Sequence, residues 1–180
     1  MDGTFKSRPL LFNQLYVIHY QYQDHVLPGV FILMESKSER AYIDVFTTLQ
    51  QNLPVGHRQG PEHFSVDFEL ASANAFKEVF TGTTEEFCFF HFAQSMWRKL
   101  QESGQSSEYM QAENEVLRMQ FHSILSLCFV PPLDVPEVFR ILEENCEDEL
   151  DEVLNHLESY YVLGRRRGRG RRQPRYQMEK

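Results

Sequence analysis

Apolar positions along the chain change period several times, and each change predicts a change of element. Residues 14–20, QLYVIHY, and 26–34, VLPGVFILM, are short continuous apolar and aromatic runs. Such runs predict strands buried on both faces, as in the interior of a covered sheet. The connector QYQDH is short enough for a hairpin, and Pro28-Gly29 predicts a bend inside the second run. From Ser38 the spacing becomes helical, with Tyr42, Val45, Phe46 and Leu49 on one face and Pro54 closing the segment. A strand is expected at HFSVD (63–67), then a helix carrying Ala71, Ala75, Phe76, Val79 and Phe80. EFCFF (86–90) reads as a further strand, followed by a helix with Ala93, Met96, Trp97 and Leu100 at i, i+3, i+4 and i+7.

Beyond the SGQSS loop the pattern is helical throughout. One helix is expected over roughly 108–128, with Leu117, Phe121, Ile124, Leu125 and Cys128 inward, broken by Pro131-Pro132. Asp134 and Glu137 have the spacing of a capping box for the next helix, which carries Val135, Val138, Phe139 and Leu142. A last apolar set, Leu150, Val153, Leu154 and Leu157, follows the acidic stretch EENCEDE. The final GRRRGRGRRQPR has no apolar residue and is expected to be disordered. The predicted class is therefore α/β. A strand-rich part comes first, then a helical segment and a basic tail.

Composition sharpens this outline at two points. A hydrophobic content of 42% over 180 residues suffices for a core. The net charge of -8 conceals an asymmetry: residues 165–180 carry +7, so the rest carries -15. A basic run of this kind binds nucleic acid, serves as a nuclear address, or acts as a solvated linker. Three widely spaced cysteines suit free thiols in a reducing compartment. No apolar run reaches the length of a membrane span, and the first residues lack the apolar segment of a secretory leader. No membrane partner is expected.

Candidate chemistry falls in three places. Asp2 and Asp67 stand near strand ends, where carboxylates from neighbouring strands can converge as hard oxygen ligands for Mg²⁺. Two such metals can activate water and stabilise a leaving oxygen in phosphoryl transfer. The alternative is that Asp67 caps the next helix and Asp2 lies in a turn. Cys88 and His91, three apart and with His57 and His63 upstream, have the spacing of half a zinc site. No second paired motif completes it, so a buried thiol and a helix-starting histidine is the preferred reading. The third place is the arginine run itself: Arg165, Arg166, Arg167, Arg169, Arg171, Arg172 and Arg175.

The segments MDGTFKSRPLLFNQLYVIHY, VLPGVFILMESKSERAYIDVFTTLQ, FSVDFELASANAFKEVF, CFFHFAQSMWRKLQESG, LCFVPPLDV and LESYYVLGRRR, taken in order, resemble the transposase domain of Mutator-like elements (MULE). The resemblance runs from Asp2 to about Pro174. It implies a ribonuclease-H-like fold, a mixed sheet flanked by helices with a helical insertion. On that basis the expected organisation is a core over 1–104, a helical insertion over 105–163 and a disordered basic tail over 164–180. It also implies an Asp-Asp-Glu triad that uses two Mg²⁺ or Mn²⁺ ions to cut DNA and join it to a target. Asp2 matches the first acid, Asp67 the second, and Cys88 with His91 a motif near the active site.

The family's third acid lies beyond a segment with Trp-Asn and Thr-Asn-Asn signatures that this sequence does not contain. Glu158 matches a different region and is not that acid. Most of the family's first strand precedes Asp-Gly-Thr-Phe, where only Met1 stands here, and the upstream zinc-finger module is absent. The expectation is a piece of a longer reading frame, truncated at both ends. It would be nuclear, with DNA as partner and homo-oligomers possible, and catalytically incomplete alone. The alternative is a transposon-derived, non-enzymatic nuclear protein that binds DNA or a protein.

Overall fold

The computed structural model describes residues 2–4, 8–168 and 170–176. The chain divides into two units, Met1–Cys88 and Phe89–Lys180.

In the first unit, β1 (Asp2–Thr4), β2 (Gln14–Tyr22) and β3 (His25–Met34) form an antiparallel sheet in the order β1-β2-β3. The hairpin turns on Gln23, which takes a left-handed φ of 51°. Pro28-Gly29 produces a bulge rather than a bend. Ile18 pairs with Val30 and His19 with Pro28, so Gly29 is the extra residue. A Cβ at Gly29 would meet the Tyr20 ring at 2.9 Å, so a larger residue there would have to push that exposed ring aside.

Helix α1 (Glu39–Asn52) starts where Ser38 accepts the Ala41 N–H at 3.3 Å. It ends before Pro54, as its spacing predicts. Strand β4 (His63–Val66), helix α2 (Leu70–Val79) and strand β5 (Thr84–Phe87) follow, with β4 and β5 parallel. Tyr16 and Met34 from the first sheet and Phe64 and Val66 from the second bury against Tyr42, Phe46, Ala73, Ala75, Phe76 and Phe80. Both sheets thus rest on the same pair of helices. The Tyr16 and Ser72 hydroxyls, 2.6 Å apart, tie β2 to α2 inside this core.

Two expectations change in this unit. The β2–β3 sheet is not buried on both faces: Val26, Phe31 and Leu33 are exposed on β3, as are Tyr20 and Tyr22 on β2. Only the alternate positions reach the helices. The strand expected at 86–90 ends at Phe87 because Phe89 and Phe90 already open the next helix. Strand β1 pairs with β2, and among the described residues no ladder joins it to β4.

The second unit is helical: α3 (Phe89–Glu102), α4 (Ser106–Met110), α5 (Glu115–Ser126), α6 (Val135–Asn145) and α7 (Asp151–Leu157). Phe92, Met96 and Leu100 of α3 are buried, as are Leu117, Phe121 and Ile124 of α5, Phe139 of α6, and Val153, Leu154 and Leu157 of α7. Lys99 pairs with Glu152 at 2.9 Å, joining α3 to α7.

The single helix expected over 108–128 is two. Asn114 turns back to donate to Glu108, and the Arg118 guanidinium caps the carbonyls of Tyr109, Gln111 and Ala112, so the break is satisfied by side chains. The capping box at Asp134 does not form. Asp134 makes no side-chain cap: its own backbone is helical, and the Glu137 N–H donates to its carbonyl oxygen at 3.1 Å. Among the described residues no helix is long and apolar enough to cross a membrane.

The segment 164–180, expected to be disordered, has defined structure through Tyr176 apart from Arg169, which lies outside the described residues. Short strands β6 (Arg166–Arg167) and β7 (Gly170–Arg171) pair antiparallel. Arg171, within the basic run, pairs with the buried Glu158 carboxylate on the helical turn just before it.

Candidate functional site

Strand β4 ends at Val66, and the chain must turn at once into α2. Asp67 makes that turn: its Oδ1 accepts the Glu69 N–H at 3.3 Å. This is the short-range backbone bond that Asp favours before a helix. Glu69, not Asp67, occupies the position just before the helix, and it makes no side-chain cap. The Glu69 carboxylate instead meets Lys37 Nζ at 3.4 Å. Phe68 stacks on Phe87 with ring centroids 4.8 Å apart, fixing the two parallel strands where they end. Asp67 is half-buried there. The second expected acid therefore stands just past the carboxyl end of a strand, with one carboxylate oxygen accepting a backbone N–H.

Asp2 lies on β1, in register with Val17. Both aspartates belong to the first unit. The donor chemistry suits Mg²⁺ or Mn²⁺. Among the described residues, however, no three His, Cys, Asp or Glu side chains gather into a group able to hold a metal.

Cys88 follows β5, and its N–H donates to Val66 O at 2.9 Å, prolonging the ladder by one bond. It is a free thiol, as are Cys128 and Cys146. Burial pushes the thiols of Cys128 and Cys146 up. His91 lies in the first turn of α3, half-buried. His57 sits in an exposed 3-10 turn, and His63 faces Glu86 across β4 and β5 at 3.1 Å. These histidines take part in no metal-holding group among the described residues.

The arginines behave unequally. Arg171 Nη2 meets Glu158 Oε1 at 2.5 Å, and its Nη1 donates to Gly164 O at 3.0 Å. Arg165 lies over the Tyr160 ring, 4.5 Å from its centroid. Arg166 and Arg167 are exposed on β6, and Arg172 and Arg175 are also exposed. Nearby, His156 Nε2 and Ser95 Oγ stand 3.2 Å apart, and Tyr161 donates to the same hydroxyl at 3.3 Å. Burial, aided by the charge of Lys99, holds the His156 imidazole below its usual range.

Sequence reasoning missed Glu158 as a structural partner of the basic run. The available signal was Gly164, placed where a helix gives way to arginines, which marks a turn back toward the helix.

The first unit is thus a mixed α/β domain that rests two sheets on a shared helix pair, with an aspartate just past the end of a strand. Residues 1–95, more than half the chain, match the family model of the MULE transposase domain, and the chain belongs to that family. Its function is accordingly transposase-derived. No curated protein matches the chain, and no solved structure does.

Proposed function

We propose that this chain is the part of a MULE transposase catalytic domain that brings the first two metal-holding carboxylates, Asp2 and Asp67, to DNA cleavage and strand transfer. The family match carries this reading, since residues 1–95 span both aspartates. The strand arrangement supports a ribonuclease-H-like sheet. β3, β2 and β1 follow in order, β4 and β5 run parallel, and both groups rest on α1 and α2. A single sheet results if β1 and β4 are neighbours.

In that arrangement Asp2 and Asp67 would hold Mg²⁺ or Mn²⁺. When bound, the ion lowers the pKa of water and stabilises the leaving oxygen in phosphoryl transfer. This chain's own contribution is positional. The Asp67 carboxylate accepts the Glu69 N–H, the Phe68–Phe87 stack packs beside it, and Lys37 offsets the adjacent Glu69 charge. Cys88 and His91 fall on the family motif near the site. The arginine segment holds DNA, and the expected compartment is the nucleus.

Two carboxylates hold a metal pair less well than three. The chain alone is therefore expected not to nick DNA carrying its element's ends in Mg²⁺ or Mn²⁺. Specific nicking that disappears in Asp67→Ala would show that a third ligand is supplied after all.

A second reading is a transposon-derived, non-enzymatic nuclear protein that binds DNA or a protein partner. It shares the arginine segment and differs in leaving Asp2 and Asp67 without a metal role.

A further inference from the structure

Glu158 is an acidic residue at the mouth of a basic segment, and it is buried. It opens a π-helical turn, Glu158–Val162, and its backbone carbonyl accepts from both Leu163 N and Gly164 N at 2.9 Å. Gly164 then takes φ +79°, and a Cβ there would fall 1.8 Å from Arg172 O, so only glycine lets the chain return so closely. Arg172 N donates to Arg165 O at 2.8 Å, and Tyr176 N to Tyr160 O at 3.1 Å. Arg171 reaches inward to Glu158 and is neutralised there.

The remaining arginines are sorted by this geometry. Arg165, Arg172 and Arg175, with Ser159, Tyr160 and Gln173, line a cleft of about 240 Å³. Among the described residues no carboxylate pairs with those three guanidinium groups. Arg166 and Arg167 lie on β6, outside the cleft lining. Guanidinium groups are suited to phosphate oxygens by their planar fork of donors. Three arginines lining one cleft with Ser159 and Gln173, two of them lying over the Tyr160 and Tyr176 rings, suit the phosphodiester backbone of DNA.

We propose that this cleft is a preorganised site for DNA backbone phosphates, and that Glu158, by binding Arg171, is the positioning residue that holds it in shape. This rests on the reading that the arginine segment binds DNA. It makes an unusual demand: removing a negative charge next to the arginines should weaken DNA binding. A disordered, solvated run would respond in the opposite sense.

Binding of a random-sequence duplex would be followed by fluorescence anisotropy across a salt series, using the full chain. The expected result is that Glu158→Gln binds roughly fivefold to tenfold more weakly at low salt, although it is more positive. Arg165→Ala/Arg172→Ala is expected to reduce the slope of log affinity against log salt by about 1.8, the value for two lost phosphate contacts. Arg166→Ala/Arg167→Ala, an identical change of charge, should reduce it by less than about half that amount. Thermal unfolding of each variant shows whether it is folded. If Glu158→Gln fails to fold, the two double variants decide, because all four of their side chains are exposed. Tighter or unchanged binding by folded Glu158→Gln, or equal slopes for the double variants, would overturn the cleft. A chain ending at Gly164 separates the two levels. If it binds as well as the full chain, the DNA role of the whole segment fails. If it loses binding while the double variants match each other, only the preorganised cleft fails.

Discussion

Replacing Phe46 by alanine is expected to destabilise the first unit by about 3–5 kcal/mol, the usual range for a buried phenylalanine. The ring is fully buried and forms the hinge of an aromatic cluster. It lies 5.0 Å from Phe76, 6.1 Å from Tyr42 and 6.3 Å from Tyr16, centroid to centroid. Those neighbours belong to α2, α1 and β2, so the cavity would open where a helix pair meets the sheet. Close-packed surroundings relax only partly, and the lost contacts add to the lost transfer energy. Domains of this size have about 5–15 kcal/mol in total, so the variant would sit near the edge of folding. Phe31→Ala is the control: that ring is 64% exposed, and its loss should change stability by no more than about 0.5 kcal/mol. Urea unfolding of both variants checks the pair. Similar losses would mean that the exposed face of β3 is covered and that the core has been misplaced.

A second large effect is expected in DNA binding. Changing Arg165, Arg166, Arg167, Arg169, Arg172 and Arg175 to glutamine, with Arg171 kept, removes six charges and leaves the Glu158 contact in place. Non-specific binding is dominated by counterion release from phosphates. With three cleft arginines engaged, the wild-type slope should be about −2.7, and losing it at roughly 50 mM salt costs about three to four orders of magnitude in affinity. The body of the chain carries -15 and cannot compensate. It repels the duplex within a Debye length, about 14 Å at that salt. Anisotropy titrations at two salt concentrations measure both quantities. A variant that keeps its affinity and slope would move the DNA contact to another part of the molecule.

The sequence was most informative where one local signal fixed each end of an element. Ser38 and Pro54 bracket α1, and the period of Tyr42, Phe46 and Leu49 identifies its inner face. It was least informative where side chains act over distance. Phe89 and Phe90 extend an apolar run and look like strand, yet Phe92, Met96 and Leu100 make the helical face that claims them. The break between α4 and α5 depends on Asn114 and Arg118 reaching backbone carbonyls, which apolar spacing does not report. Order in the arginine segment depends on Glu158, a carboxylate whose burial composition does not reveal. For the candidate site, residue spacing yields only two aspartates near strand ends. Their roles came from resemblance, and the structure adds the backbone that holds Asp67.

Metal binding by the two aspartates tests the central claim most directly. Mn²⁺ would be titrated into the full chain and into Asp2→Asn and Asp67→Asn, with free ion followed by electron paramagnetic resonance. Weak binding by the full chain that is lost in both variants is the predicted result, since each carboxylate supplies hard oxygen donors to one site. Binding that is the same in all three proteins would contradict the account and leave Asp67 as the residue that turns β4 into α2.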